Sequence, residues 1–285
     1  MAPLASGAQA ALLSLASKSL RREIARFPNF LATRVTTRFE DTPSLPATLD
    51  RPAGWYRPLH WVGTSTTNVL NRNGQEVVDP GQAKEAKSGY KPQGLSTSGE
   101  FGTILIILMT DVFRSPIAWV GWESGAAGPL AVFHYSVSSP NSHYQVDVPS
   151  KLGILETLPA YHGEIAVDAA SGTIVRATLE AELKPNTAVT LANLLVEYGP
   201  VEIGGETYIL PTRCVALSAV RLTVVHRLAN GFGDVGFQFG PQKTEVNDIR
   251  FTHYHLFRAE TRIVVDENVP PAASPAARES PPPSN

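Results

Sequence analysis

Residues 161–184 read YHGEIAVDAASGTIVRATLEAELK. Val175, Ala177, Leu179, Ala181 and Leu183 alternate with Arg176, Thr178, Glu180, Glu182 and Lys184. A period of two puts the first set on one face of a strand and the second on the other. Residues 168–172 supply a turn. Gly172 tolerates a positive φ, and Asp168 and Ser171 are able to bond nearby backbone. The same grammar runs downstream. Residues 190–202 and 207–220 read as strands joined at Gly204-Gly205, a two-residue hairpin turn. Pro200 implies a bulge or a sheet edge. Residues 230–240 read as a glycine-rich loop, and 243–250 and 252–265 close the set. The C-terminal half is therefore one antiparallel sheet.

Upstream, residues 10–27 carry Leu13, Ala16, Leu20, Ile24 and Phe27 at helical spacing, with Pro28 as the stop. The stripe is narrow, as for a helix laid on a sheet. Residues 31–39 alternate again, with Leu31, Thr33, Val35, Thr37 and Phe39 as the half-buried face and Arg34 and Arg38 on the solvated one. Residues 41–57 are a proline-rich loop, and 59–63 a short strand. Asn73-Gly74 turns a hairpin over 69–78. Residues 79–99 lack apolar periodicity, so 64–99 reads as a surface loop and hairpin insertion. Thr97-Ser98-Gly99-Glu100 fits a capping box before FGTILIILMTDVF. That run predicts a buried helix of about four turns, with a strand as the alternative given its β-branched content. Residues 117–123, 130–138 and 143–148 are strands, with a turn at Pro140-Asn141. The expected organisation is a flexible N-terminus over 1–9, one domain over 10–266 and a disordered tail over 267–285. Residues 269–285 hold six prolines and little that can be buried.

Composition narrows the function classes. The 285 residues are 43% hydrophobic and 18% charged, enough apolar content for a real core. The net charge of −2 and the lack of a basic patch with interleaved aromatics argue against nucleic-acid binding. The single cysteine, Cys214, permits no internal disulfide and reads as a small buried hydrophobe. No apolar run approaches the roughly 20 residues of a membrane-spanning helix. The alanine-rich start, MAPLASGAQAALLSLASKSL, lacks the basic region of a signal peptide.

Chemistry is sparsely encoded. His253 and His255 are two apart, which predicts that both share the apolar face of Phe251 and Phe257. They read as hydrogen-bonded histidines of a core or cavity wall, then as ligand contacts, then as part of a metal site with a third ligand. His162, Glu164 and Asp168 share another face, without a motif that ties them together. No nucleophile elbow frames a serine. Gly204-Gly205-Glu206-Thr207 lacks the lysine of a phosphate loop. Glu180 and Glu182 read as a solvated face. Among Trp55, Trp61, Trp119 and Trp122, the latter two are candidate lining residues of an apolar cavity, although tryptophans are more often core. The tentative ligand-binding set is Trp119, Trp122, His253, His255 and Phe257. No catalytic residue, metal or cofactor is assigned. A metal-dependent enzyme using His253, His255 and a carboxylate is the outlying alternative.

The phrases RFPNFLATRVTTRFE (26–40), YHGEIAVDAASGTIVRATLEAEL (161–183), VEYGPVEIGGETYILPTR (196–213) and FTHYHLFRAETRIV (251–264) carry a resemblance. Over about residues 10–265 the chain resembles acidobacterial-type secreted proteins. More distantly it is similar to the LolA/RseB-like superfamily of the periplasmic lipoprotein carrier and the sigma-factor regulator. The resemblance implies an α+β fold, a single antiparallel sheet curved into a half-open β-barrel, with an N-terminal helix and one or more helices on the concave side. It implies a non-enzymatic, periplasmic or secreted protein that binds a lipid, a lipoprotein acyl chain or another apolar ligand. A protein-interaction or stress-sensor module on the same fold is the second reading, with a partner engaged through 64–99.

Overall fold

The computed structural model describes residues 3–44, 54–72, 75–78, 95–97, 99–150, 153–184, 187–227 and 235–257. Among these residues, two α-helices lie on one ten-stranded sheet. Helix α1 spans Ser6–Arg26, and its buried face of Leu12, Ala16, Ser19, Leu20 and Glu23 follows the expected stripe. It starts earlier than its apolar period. Gln9 bonds back to Ala5 O through its backbone and to Leu4 O through its side chain, which draws residues 6–9 out of the expected flexible terminus.

Ten strands build the main sheet: β1 (Phe30–Thr42), β2 (Arg57–Arg72), β3 (Gln75–Val78), β4 (Ile117–Ser124), β5 (Pro129–Val137), β8 (Ala160–Asp168), β9 (Ile174–Glu182), β10 (Val189–Ile203), β11 (Glu206–Arg227) and β12 (Val235–Leu256). Strands β6 (Val146–Ser150) and β7 (Gly153–Thr157) form a separate two-stranded ribbon. The order is β3-β2-β1-β12-β11-β10-β9-β8-β5-β4, every pairing antiparallel, and β3 and β4 remain at opposite edges. This is the half-open sheet the sequence implied.

The hairpin expected over 161–184 is present as β8 and β9. Gly172 takes φ 72°, and Ser171 donates from both its backbone N–H and its hydroxyl to Asp168 Oδ1. Ala177 and Leu179 are fully buried against Tyr161 and Ile165. Gly163 is required by packing. A Cβ there would lie 2.0 Å from the Thr178 carbonyl oxygen. Gly204 (φ 64°) and Gly205 (φ 86°) turn β10 into β11. Pro200 sits where β10 pairs with β11 alone, because β9 accompanies only Asn193 to Glu197. A missing ladder donor is harmless there.

Several expectations give way. Residues 235–240 are strand, because the long β11 continues to Arg227 and pairs with them. The expected short strand at 59–63 is one end of the sixteen-residue β2. The expected faces of β1 are reversed. Phe30 and Ala32 are buried in the core beneath the helices, with Arg34 on their side of the strand. The apolar run forms helix α2 at Thr103–Thr110, only eight residues, followed by a 3-10 turn at Val112–Arg114. It is apolar on every side, with Ile104, Leu105, Ile107 and Leu108 buried. The tail at 267–285 and most of the loop at 79–99 lie outside the described residues.

The core lies between the helices and this face of the sheet. Phe101 meets Phe30, Phe251 and Tyr254 at ring-centroid distances of 5.3, 4.7 and 6.2 Å. Tyr135, Tyr161, Phe133, Leu108 and Leu210 complete it, and Cys214 is buried there. Burial, followed by the charge of Glu100, pushes the Cys214 thiol well above its ordinary range, so it is not a reactive thiolate.

Candidate functional site

Helix α2 is fastened across the helix-covered face of the sheet at both ends by buried carboxylates. At its start, Glu100 is fully buried. Arg34 Nη2 donates to Glu100 Oε1 at 3.0 Å and to Thr97 Oγ1 at 2.8 Å. Arg34 Nη1 reaches Glu76 Oε1 at 3.3 Å, and the Gly99 N–H donates to Glu76 Oε2 at 2.9 Å. The Thr97 hydroxyl donates to Glu100 Oε1 at 2.5 Å. The expected capping box therefore does not cap. Its Thr and Glu bond to each other and to Arg34, while Gly102 occupies the N-cap without a side-chain bond. Arg34, assigned to solvent by alternation, has a side chain only 14% exposed. Burial and the neighbouring Glu100 push the Glu76 carboxyl up to about 7, against the opposing pull of Arg34.

At the other end Asp111 is buried. His143 donates to it from its backbone N–H, to Oδ2 at 2.8 Å, and from Nδ1, to Oδ1 at 2.6 Å. Tyr161 adds its hydroxyl to Oδ2 at 3.0 Å. Burial and Asp111 push the Tyr161 phenol far above its usual range, so it stays a neutral donor. The Asp111 network holds the segment before β6 against the end of α2.

Beside that anchored end a groove of about 540 Å³ opens between the two helical segments. Leu13, Ser14, Ser17, Lys18 and Arg21 line it from one face of α1. Phe113, Ser115 and Ile117 line it from the end of α2 and the start of β4. Three lining residues, Leu13, Phe113 and Ile117, are apolar, and Lys18 and Arg21 supply positive charge. The ion pairs of α1 fall on Arg22 with Glu23 and Arg26 with Glu206, leaving Lys18 and Arg21 without a carboxylate among the described residues. A second hollow of about 470 Å³ shares Ser115 and is lined by Arg114, Ser136, Ser138, Ser139 and Glu182.

Of the expected ligand residues, Trp119 and Trp122 stand together beyond Ile117. Their rings are 5.2 Å apart, and Trp119 is 5.4 Å from Phe133. A spacing of three would place them on opposite faces of a regular strand. A bulge at Val120 restores them to one, with Trp119 opposite Phe133 and Trp122 opposite Ala131. His253 and His255 are exposed instead of sharing the apolar face. Another bulge is the cause: Leu31 pairs with His255 and Thr33 with Thr252, so His253, at φ 52°, is the inserted residue. Tyr254 takes the inward position and donates its hydroxyl to Pro211 O. Phe257 is half-buried at the strand end. No three His, Cys, Asp or Glu side chains converge on a metal-binding point among the described residues. Sequence reasoning missed Arg34, Glu76, Asp111, Lys18 and Arg21. Arg34 and Glu76 are 42 residues apart, and only the fold joins them.

No protein-family model and no curated protein matches the chain. Two solved structures do. A LolA superfamily protein from Nitrosomonas europaea is 13% identical, with 86% of this chain and 94% of that one covered and a TM-score of 0.33. MucB, in its complex with MucA(peri), is 12% identical, with 88% and 99% covered and a TM-score of 0.24. Overlap this loose transfers no site.

Proposed function

We propose that this protein is a non-enzymatic binding protein of the bacterial envelope that holds a lipid or lipoprotein acyl chain on the helix-covered face of its sheet. One observation carries the reading: the groove between α1 and β4 is lined by the apolar Leu13, Phe113 and Ile117 and by Lys18 and Arg21, which have no carboxylate partner among the described residues. Its volume of about 540 Å³ falls within the range of small-molecule sites, roughly 300–1,000 Å³. An acyl chain gains about 0.8 kcal/mol for each buried methylene. The positive charge of Lys18 and Arg21 favours a chain that ends in a carboxylate or phosphate. Trp119 and Trp122 extend the apolar surface along β4. His253, His255 and Phe257 stand at the far end of β12 and would contact only a ligand that crosses the sheet. Such binding needs no catalytic group.

Native mass spectrometry with lipid extraction, on protein purified from its own host, tests the reading. A co-purifying acyl species is expected. Protein that carries none, and takes up none when mixed with free fatty acid, would refute it.

A further inference from the structure

Strand β2 is exposed along its first half. Residues 57–68 have a strand neighbour on one side only, β1, among the described residues. Trp55 is 91% exposed, Tyr56 62%, Leu59 50%, Trp61 60% and Val62 45%. These lie within one stretch, residues 54–63, GWYRPLHWVG. The next five residues, Thr64 to Asn68, are exposed too, and all are hydroxyls or amides. One edge strand therefore carries an apolar, aromatic tip on a polar stalk.

We propose that this tip docks the protein on an anionic lipid surface, a role that goes beyond the groove and does not depend on it. Exposed apolar patches of this kind mark a protein or a membrane partner, and three features favour the membrane. First, both faces of the strand are exposed. Residues 55–59 are all exposed, as are Trp61 and Val62, so neither side of the tip is covered. A docked protein would cover one face and leave the other in water, whereas an inserted tip is surrounded. Second, the aromatics are tryptophan and tyrosine, whose apolar bodies and polar tips suit the headgroup layer. Third, the charge is of one sign. Residues 54–63 contain Arg57 and no carboxylate. The nearest acids on β1 are turned toward β12. Glu40 pairs with Lys243 at 2.7 Å, and Asp41 accepts the Thr244 N–H at 2.8 Å.

Co-flotation with vesicles of phosphatidylglycerol and phosphatidylethanolamine tests this, with phosphatidylcholine vesicles as the neutral reference. The full chain is expected to float with the anionic vesicles. Trp55→Ser combined with Trp61→Ser is expected to weaken that binding at least tenfold, and Arg57→Glu to weaken it several-fold. In a Trp119→Phe, Trp122→Phe background, brominated lipid is expected to quench the remaining tryptophan emission. The groove variant Lys18→Glu with Arg21→Glu is expected to float normally, which separates this surface from the ligand site. Wild-type protein that stays in solution would overturn the proposal. So would flotation unaffected by the tip variants, or a concentration-dependent dimer that those variants dissolve.

Discussion

Trp119 and Trp122 stand half-buried at one edge of the sheet, ring against ring and packed on Phe133, while Trp55 and Trp61 stand near the other edge with little over them. Composition treats the four alike. What separates them is cover. The α1–α2 layer lies over the face that β4 presents, and the bulge at Val120 turns both of its indoles toward that face. The first half of β2 has only β1 beside it among the described residues. One edge is thus packed against the core, and the other is left exposed.

The sharpest way to break this comparison is to alter the covered half where it has no slack. Gly163→Ala forces a Cβ into the Thr178 carbonyl. The loss of stability by urea denaturation should be roughly 3 kcal/mol. A neutral result would mean that β8 and β9 are not locked as described. The tryptophans come next. Trp119→Ala should remove about 2 kcal/mol, below the usual core figure because the ring is only half-buried. Trp61→Ser should stay within about 0.5 kcal/mol of wild type. Equal effects in the two variants would erase the distinction between the edges.

A smaller effect concerns pH. The Glu76 carboxyl is raised from 4.5 to about 7 in the fold. The folded state therefore holds a proton that the unfolded chain has released across that window. The stability this proton contributes is complete below about 4.5 and is lost as pH rises through about 7. Glu76→Gln keeps the neutral form at all pH values. Its urea midpoint should fall less than that of wild type between pH 5 and pH 8, and an unchanged slope would exclude Glu76 as the source.

Most of the fold was legible because period-two alternation and glycine turns are local signals. The β8–β9 and β10–β11 hairpins, α1 and the antiparallel pairing of β2 with β3 all follow from them. The site was less legible, for two physical reasons. Bulges break the parity on which face assignment rests. The insertion at His253 exposes two histidines that counting places inside, and the one at Val120 reunites two tryptophans that counting separates. Long-range charge pairing is also silent in sequence. Arg34 looks like any solvated strand arginine until Glu76 and Glu100 are folded onto it. Lys18 and Arg21 are ordinary polar positions of a helix, and nothing local says that Phe113 and Ile117 line the same groove.

The proposed occupant of the groove beside α1 is an apolar chain with an anionic end. Titration with a fluorescent fatty acid, competed by palmitate and by the uncharged alcohol of the same length, tests it most directly. Saturable binding is expected, with palmitate the better competitor. Lys18→Glu with Arg21→Glu should weaken palmitate at least tenfold and the alcohol little. No saturable binding, or a variant that binds palmitate as well as wild type does, would contradict the assignment of this groove.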